Sequence, residues 1–339
     1  MTKEIAAFFD ISIEEKKYLE NKLQDSKSVS TVFYRAKLDK RTVKKIKSAE
    51  IIASFVYSKM DRDILKELPE LKLISTMSTG FDHIDLEYCK EKNITVCNIP
   101  TYGERTVAEH TFALILSLSR KIPQSIEKTR KFDFSLEGLR GFDLENKTLG
   151  LIGMGHIGAN VAKIARGFEM KIIASDPKPD KALMKKLGIK MVSLEDLLQD
   201  SDIISLHAPL NKFTYHLINK HNIMTIKKGA YIINTARGGL IETEALIKAL
   251  DKGILSGAGI DVLEEESAIK EEKELLGKTQ KENEKLRTIL QNRILSSNPR
   301  VIITPHNAFN SDEAMQRILD TTIENIENFL KGSPINEVN

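Results

Sequence analysis

The sequence predicts an α/β protein with two doubly wound parallel sheets. Three observations lead to this fold class: short apolar runs alternate with amphipathic stretches from residue 5 onward, the same alternation restarts at residue 148, and the chain has 339 residues. A chain of that length holds about two domains of roughly 100–200 residues. Strand–helix–strand repeats require parallel strands, because each helix carries the chain back across one face of the sheet.

The first alternation runs from residue 5 to residue 97. Its apolar runs are typical of buried strands, and the stretches between them carry apolar residues at helical spacing. The predicted strands are Ile5–Phe9, Val29–Phe33, Ile51–Phe55, Leu71–Thr76 and Ile94–Cys97, and the predicted helices are Ile13–Leu23, Arg41–Ile46, Asp63–Leu68 and Leu86–Glu91.

A helix over Val107–Leu118 precedes the second alternation and is apolar almost all the way round, so it must be buried on more than one side. Residues 264–297 are highly charged with scattered Leu and Ile, which indicates a helical insertion at the surface. Asp312–Leu330 has the periodicity of an amphipathic helix. The strands of the second alternation are predicted at Thr148–Ile152, Lys171–Ser175, Asp202–Leu206, Ala230–Asn234, Ser256–Ile260 and Val301–Thr304.

The order of these elements predicts two interleaved domains. No strand-like run follows the last predicted helix, so we expect that helix to pack on the first sheet. Residues 1–101 and 306–339 then form one discontinuous domain, and residues 102–305 form the other. Pro100 and Pro305 lie near the two crossings, and we expect a cleft between the domains.

Composition and charge exclude several classes of protein. A hydrophobic content of 41% excludes a disordered or fibrous chain. The net charge of +3 arises from 51 basic and 48 acidic residues that are interspersed, so we expect no nucleic-acid partner. No apolar window is long enough to span a membrane and no signal-peptide pattern follows Met1, so we expect a cytoplasmic protein without a membrane partner. Cys89 and Cys97 are isolated, so we expect neither a disulfide framework nor a metal site.

A glycine motif follows the first strand of the second alternation. Gly153 permits a tight turn, Gly155 lets backbone N–H groups approach a pyrophosphate, and Gly158 lets the next helix pack on the strand. Asp176 ends the next strand, where a carboxylate accepts hydrogen bonds from ribose hydroxyls and repels a 2′-phosphate, so NAD is favoured over NADP. A helix-cap or turn role before Pro177 is the alternative for Asp176. The predicted cofactor contacts here are Gly153, Gly155, His156, Ile157, Gly158 and Asp176.

Polar residues also follow the later strands of this sheet. His207, Ala208 and Pro209 are predicted to contact the cofactor. The alternative for His207 is that its side chain organises its own loop. Arg237 and His306 follow two further strands. An arginine, a carboxylate and an imidazole at one sheet edge can bind an anionic substrate and transfer a proton. The carboxylate comes from the cluster Glu264, Glu265 and Glu266.

Together, these motifs resemble the D-isomer-specific 2-hydroxyacid dehydrogenases over nearly the whole chain. The resemblance implies a Rossmann NAD domain inserted into a flavodoxin-like substrate domain. The run Asp261–Glu266, the long insertion and Pro305–Phe309 resemble the D-lactate dehydrogenase branch most, because the Glu-Pro and Gly-Ser pairs of the glyoxylate and hydroxypyruvate reductases are missing. The motifs that carry the resemblance are Ser78–Asp85, Ala108–His110, Gly153–Gly158, Asn234–Gly239, Gly259–Val262 and Thr304–Phe309.

The resemblance also implies a role for each site residue. Arg237 would hold the substrate carboxylate and 2-oxygen, and His306 would be the acid/base catalyst. Glu266 would hydrogen-bond the imidazole and stabilise its protonated form, with Glu264 and Glu265 as rivals. Asp261 would face the nicotinamide amide, and the other implied cofactor contacts are Thr235, Ala236, Arg237 and His306.

The substrate pocket and the assembly complete the expectations. Thr79 and Gly80 would offer backbone N–H groups to the substrate carboxylate, Tyr102 and Phe309 would wall the pocket, and Phe55 is a weaker wall candidate. We expect reduction of a small unbranched 2-oxo acid, such as pyruvate, to a D-2-hydroxy acid by NADH. The alternatives are an NAD(H)-sensing protein similar to the family's corepressors, a glyoxylate/hydroxypyruvate reductase, and a formate or phosphite dehydrogenase. The apolar helix predicted near residue 112 suggests a homodimer.

Overall fold

The computed structural model describes residues 3–24, 28–265 and 280–339. The chain divides into two compact units: unit 1 comprises Met1–Tyr102 and Ser311–Asn339, and unit 2 comprises Gly103–Asn310. The chain therefore leaves unit 1 after residue 102 and returns to it at residue 311, whereas the sequence predicts crossings after residues 101 and 305.

Unit 1 is a parallel sheet covered by helices. Its strand order is β2-β1-β3-β4-β5, so the order reverses between β1 and β3, as in flavodoxin-like sheets. The described strands are β1 (Glu4–Phe8), β2 (Val29–Phe33), β3 (Ile51–Ser54), β4 (Leu73–Thr76) and β5 (Thr95–Cys97), and the helices that follow them in this part are α1 (Ile13–Leu23), α2 (Arg62–Leu65) and α3 (Leu86–Glu91).

The helix at Asp312–Leu330, which we number α11, belongs to unit 1 and packs on β4 and α1. Ser311 caps it, because the Ser311 hydroxyl accepts a hydrogen bond from the Ala314 N–H. Every residue of β3 and β4 is buried, as expected for parallel strands covered on both faces. The helix buries Ala314, Ile318, Leu319, Thr322, Ile323, Asn325 and Ile326.

Unit 2 is a larger parallel sheet with the strand order β12-β11-β10-β9-β6-β7-β8. The order reverses between β6 and β9, the point at which such sheets bind ligands. Together, the two sheets confirm the predicted fold class. The strands are β6 (Thr148–Ile152), β7 (Lys171–Ser175), β8 (Lys190–Met191), β9 (Ile203–Leu206), β10 (Ala230–Asn234), β11 (Leu255–Ile260) and β12 (Val301–Ile303), and the helices are α4 (Glu104–Ser119), α5 (Ile122–Arg130), α6 (His156–Gly167), α7 (Lys181–Leu187), α8 (Leu194–Asp200), α9 (Thr243–Asp251) and α10 (Gln280–Ser297).

The apolar residues of α4 are buried inside unit 2. This helix packs on α6, β10 and β11, and Phe112, Leu114, Ile115 and Leu118 belong to one of the unit's apolar cores. The apolar character of α4 is therefore explained by its own chain. Its apolar pattern therefore does not require a subunit interface, and the interface role that the sequence suggests for this helix stays a prediction.

Several elements differ from their predictions. The predicted helix Arg41–Ile46 is a single 3-10 turn, Val43–Lys45. Strand β8 was not predicted, because its two residues are too few to show an alternation of apolar and polar side chains. Helix α5 was not predicted either, and it buries none of its residues. Within the predicted insertion, α10 is helical, whereas residues 266–279 lie outside the described residues. None of the helices in the described ranges has the length and apolarity needed to span a bilayer.

Candidate active site

The glycine motif forms a tight turn between β6 and α6. Gly153 has a φ of 94°, and a Cβ atom there would lie 2.8 Å from the backbone of His207 and Ala208. A Cβ atom on Gly158 would lie 2.3 Å from the Gly153 carbonyl oxygen, so this glycine permits the helix to pack on the strand. A Cβ atom on Gly155 would meet no described heavy atom within 4 Å. The space above Gly155 is therefore open to a ligand.

The N-terminus of α6 faces this open space. No described side chain caps the helix, so its first backbone N–H groups and the positive end of its dipole are available to an anion. His156, at the first helical position, is mainly exposed, and its Nδ1 lies 3.5 Å from Glu104 Oε1. Ile157 packs against the apolar core beneath the turn.

Asp176 lies beside the same turn. Its Oδ2 accepts a hydrogen bond from the Met154 N–H at 2.7 Å, and its Oδ1 accepts one from the Lys178 N–H at 2.7 Å. The carboxylate thus joins the end of β7 to the glycine turn. Each oxygen retains a lone pair, so Asp176 can still accept hydrogen bonds from a ribose.

His207 follows β9 on the other side of the strand-order reversal. Its Nε2 lies 2.9 Å from Ser205 Oγ, and its Nδ1 is buried without a hydrogen-bond partner among the described residues. Burial lowers the pKa of His207 to about 3, so the ring is neutral at physiological pH. Ala208 packs partly against the second core of unit 2, and Pro209 is exposed.

Arg237 is presented by a turn that the buried Asn234 side chain closes. Asn234 Oδ1 accepts a hydrogen bond from the Ala236 N–H at 3.1 Å, and Asn234 Nδ2 donates one to the Arg237 carbonyl at 2.9 Å. Arg237 Nη1 donates to the Ala236 carbonyl at 2.8 Å. Thr235 Oγ1 lies 2.9 Å from Thr111 Oγ1 on α4, which fixes the other side of the turn.

His306 follows β12 and has a φ of 55°, an uncommon conformation for a residue other than glycine. The Asp261 backbone carbonyl accepts a hydrogen bond from the His306 N–H at 2.8 Å. The Asp261 carboxylate accepts hydrogen bonds from the Asn307 and Ala308 N–H groups, each at 3.0 Å, and from Thr304 Oγ1 at 2.5 Å. Asp261 therefore holds the chain on both sides of His306.

The Asp261 side chain has no exposed surface, and His110 Nε2 lies 3.5 Å from its Oδ1. The same His110 nitrogen lies 3.1 Å from Thr304 Oγ1. The carboxylate thus has a structural role in the His306 loop, and its contact with a nicotinamide amide stays a prediction. Sequence reasoning missed this role, although the Ala108–His110 motif marks one of its partners.

The Glu264 carboxylate forms its hydrogen bonds with residues other than His306. Its Oε1 lies 2.6 Å from His216 Nε2, and its Oε2 accepts hydrogen bonds from the Thr243 hydroxyl and N–H at 2.7 and 3.2 Å. A Cβ atom on Gly238 would lie 2.1 Å from the Leu263 carbonyl carbon, so the Arg237 turn packs directly on this strand end. Glu266 lies outside the described residues.

In unit 1, the loop after β4 offers two free N–H groups. The Thr79 and Gly80 N–H groups donate no hydrogen bond within the described ranges. Tyr102 is partly exposed, and its carbonyl accepts a hydrogen bond from Arg317 Nε at 2.6 Å. Phe55 is buried, and its role as a weaker wall candidate stays a prediction. Phe309, in unit 2, is partly exposed.

Known proteins share this combination of fold and motifs. The family model for the D-isomer specific 2-hydroxyacid dehydrogenase, NAD binding domain, matches residues 112–308. The D-lactate dehydrogenase of Escherichia coli is 36% identical over 323 residues, which cover 94% of this chain and 94% of that protein. The chain belongs to the D-isomer-specific 2-hydroxyacid dehydrogenase family.

The similarity to solved structures of D-lactate dehydrogenases covers nearly the whole chain. The enzyme of Aquifex aeolicus, crystallised with NAD and lactic acid, matches with a TM-score of 0.85 and 37% identity, covering 98% of this chain and 100% of that one. The aromatic 2-oxoacid reductase of Clostridium sporogenes is 37% identical over 82% of both proteins. The chain is thus an NAD-dependent dehydrogenase of the D-lactate dehydrogenase branch.

The residues of this dehydrogenase fit NAD. The open space above Gly155, the uncapped N-terminus of α6 and the Asp176 carboxylate lie around one turn, and these are the groups that bind a pyrophosphate and a ribose diol. A hydride acceptor or donor bound there would lie at the sheet edge that also carries Arg237 and His306, since all of these residues follow parallel strands.

Proposed function

We propose that this dehydrogenase interconverts a small 2-oxo acid and a D-2-hydroxy acid, with pyruvate and D-lactate as the reference pair. The observation that carries the proposal is the fixed position of His306, which Asp261 holds from both sides at the carboxyl end of the sheet. The E. coli and A. aeolicus relatives named D-lactate dehydrogenase support the choice of substrate.

The proposed mechanism assigns proton transfer to His306 and charge stabilisation to Arg237. NADH, when bound, supplies the hydride for the 2-carbon of the oxo acid. Protonated His306 donates its proton to the 2-oxygen as negative charge develops there, and the Arg237 guanidinium stabilises that charge. In the opposite direction, neutral His306 accepts the hydroxyl proton.

Glu266 is the proposed partner of the imidazole. The family resemblance supports it, and the structure weakens one rival, because both oxygens of Glu264 are engaged by His216 and Thr243. Glu266→Gln should therefore move the alkaline limb of the rate profile for reduction to lower pH. Glu264→Gln should leave that limb in place, and a shifted limb in this variant alone would transfer the role to Glu264.

In unit 1, the free N–H groups of Thr79 and Gly80 are proposed to bind the substrate carboxylate. Two neighbouring N–H donors can bind an anion without adding a positive charge. The family resemblance supports Tyr102 of unit 1 and Phe309 of unit 2 as residues that contact the substrate, and both are partly exposed.

The test is the consumption of NADH with a panel of 2-oxo acids: pyruvate, glyoxylate, hydroxypyruvate, 2-oxobutyrate and phenylpyruvate. We expect the highest kcat/KM for pyruvate or 2-oxobutyrate and little activity with NADPH. Preference for phenylpyruvate would assign the chain to aromatic acids, as the C. sporogenes relative is named. Absence of reduction with every acid would favour an NAD(H)-sensing protein instead.

We also propose a homodimer, with an interface different from the one that the sequence pattern suggests. Large apolar side chains are exposed on α5 and the segment after it: Phe132 is 89%, Phe134 73% and Leu136 83% exposed, and Ile122 and Ile126 lie nearby in sequence. Exposed apolar clusters of this kind mark interaction surfaces. Analytical ultracentrifugation should show a dimer at micromolar concentration, and Phe134→Ser should weaken it; a wild-type monomer would refute the assembly.

A further inference from the structure

The loop Ser78–Gly80 has an unusual division of its hydrogen bonds. Its carbonyl groups are all bonded: Ser78 O accepts from the Ile99 N–H at 3.0 Å, Thr79 O from Asn98 Nδ2 at 2.8 Å, and Gly80 O from Ser78 Oγ at 2.7 Å. Its Thr79 and Gly80 N–H groups donate to no group in the described part of the chain. The carbonyl groups of the loop are therefore all used, and two of its N–H groups remain available to a ligand.

Planar trans peptides explain how the bonded carbonyls orient the free N–H groups. In a trans peptide, the N–H of one residue points opposite to the C=O of the residue before it. The Ile99 N–H, by holding Ser78 O, directs the Thr79 N–H away from Ile99. Asn98 Nδ2, by holding Thr79 O, directs the Gly80 N–H away from the Asn98 side chain. The direction of the second donor thus depends on where the Asn98 side chain lies.

Asn98 is in turn held by residues from the last part of the chain. Its carbonyl accepts a hydrogen bond from Asn325 Nδ2 at 3.0 Å, and its N–H donates to the Asn336 carbonyl at 3.0 Å. Asn325 also donates to Ser75 Oγ at 3.3 Å, and its Oδ1 accepts from Asn336 Nδ2 at 2.9 Å. Asn325 has no exposed surface, so each of its polar atoms is committed to this network.

We propose that Asn325 is a positioning residue for substrate binding: through Asn98, it aims the Gly80 N–H at the substrate carboxylate. The inference rests on the proposed function, because that function supplies the anion that the loop binds. Asn325 lies on α11 and would not contact the substrate. Its effect should appear in the KM for the 2-oxo acid, since a misdirected N–H weakens binding of the carboxylate in the ground state and the transition state alike.

The test compares Asn325→Ala with Thr322→Val in the full-length enzyme. Thr322 lies one turn earlier on α11 and is also fully buried. Among the described residues, its hydroxyl bonds only the Ile318 carbonyl of its own helix, at 2.8 Å. Asn325→Ala should raise the KM for the 2-oxo acid about tenfold, the loss expected for one hydrogen bond to a charged group, with kcat within about twofold and the Kd of NADH unchanged. Thr322→Val should leave all three constants near those of the wild type.

A double-mutant cycle tests whether Asn325 acts through Asn98. In an Asn98→Ala background, Asn325→Ala should add little to the KM, because the residue that it positions is already gone. If the two effects instead multiply, the pathway through Asn98 is refuted. If Asn325→Ala does not fold, Asn336→Asp takes its place: Asn336 is partly exposed, and the loss of its amide donor to Asn325 should raise the KM in the same direction.

The outcomes separate this inference from the proposed function. A wild-type enzyme that reduces no 2-oxo acid would refute the proposed function and remove the basis of the inference. A wild-type enzyme that is active, combined with a folded Asn325→Ala variant of unchanged KM, would refute the inference alone. Equal rises in KM for Asn325→Ala and Thr322→Val would show only a general effect of disturbing α11, which also overturns it.

Discussion

Two loops of this enzyme are held by side chains of different charge. In unit 2, the carboxylate of Asp261 accepts hydrogen bonds from the backbone that carries His306. In unit 1, the Asn98 side-chain amide donates a hydrogen bond to the loop that carries Thr79 and Gly80. The Asn325 amide in turn donates one to the Asn98 carbonyl. Both anchors are buried and both reach their loop through the backbone, so the main difference between them is charge.

The charge of each anchor suits the proposed task of its loop. Two unit charges about 6 Å apart interact by about 3 kcal/mol at an effective dielectric constant of about 20, which is enough to change affinity a hundredfold. A carboxylate beneath Thr79 and Gly80 would repel the substrate anion, whereas neutral amides do not. In unit 2, the charged Asp261 carboxylate accepts N–H groups of the loop backbone, and hydrogen bonds to a charged acceptor are stronger than those to a neutral one. A neutral anchor thus suits the loop that is proposed to bind an anion, and a charged anchor suits the loop that holds His306 in place.

The largest effect is expected when the proton donor itself is removed. His306→Ala should lower kcat for 2-oxo acid reduction by about 10²–10⁴, the usual contribution of a positioned acid, and leave the Kd of NADH nearly unchanged. Stopped-flow and steady-state kinetics measure the two quantities. A rise in KM with kcat retained would show that His306 binds the substrate and does not transfer the proton, which would break the division of tasks between the two loops.

A smaller effect concerns Asp176, whose carboxylate also accepts hydrogen bonds from a loop backbone. Asp176→Ala should raise the Kd of NADH about 10- to 100-fold and reduce the discrimination against NADPH, because a charged hydrogen-bond partner of the ribose is lost. Asp180→Ala is the matched control, since Asp180 also accepts backbone N–H bonds but only as the cap of α7. Wild-type preference for NADPH would contradict the assignment.

The last prediction concerns stability instead of kinetics and involves His207. Burial alone lowers the pKa of His207 to about 3, whereas the unfolded chain titrates near 6.5, so the unfolded state binds the extra proton between these values. The free energy of unfolding should therefore fall as pH drops from about 6.5 toward 3, by up to about 1.4 kcal/mol per pH unit for this group.

Urea unfolding of His207→Gln at pH 6, 5 and 4 tests this linkage. The variant should lose less stability over that range than the wild type, since glutamine takes up no proton. His221→Gln, at an exposed position of the same unit, should keep the wild-type slope. If His207→Gln also keeps it, burial of the ring does not penalise its protonation.

Much of the fold and part of the site could be predicted from the sequence, because their signals are local. Buried parallel strands appear as apolar runs, and the glycine turn has a fixed spacing within one strand–turn–helix unit. The runs Thr148–Ile152 and Lys171–Ser175 coincide with observed strands for this reason. By contrast, α5 has only Ile122 and Ile126 as large apolar residues and buries neither, so its short pattern did not distinguish it from a loop.

The anchors of the two loops could not be predicted because their partners are distant in sequence. Asn325 and Asn98 are separated by 227 positions, and a lone asparagine on an amphipathic helix has the same pattern as a solvent-exposed one. Asp261 was singled out by its motif, but its contacts with Asn307 and Ala308 depend on the pairing of β11 with β12. Such roles follow from tertiary packing.

The kcat of Asp261→Asn for 2-oxo acid reduction tests most directly whether the Asp261 carboxylate fixes the loop that carries His306. Asparagine keeps the size of the side chain but replaces one acceptor oxygen by an NH2 group, so the hydrogen bond from the Asn307 N–H or the Ala308 N–H is lost. We predict a kcat about 10-fold lower than that of the wild type, the loss expected for one hydrogen bond to a charged group. A folded variant with a kcat within about twofold of the wild type would contradict the account.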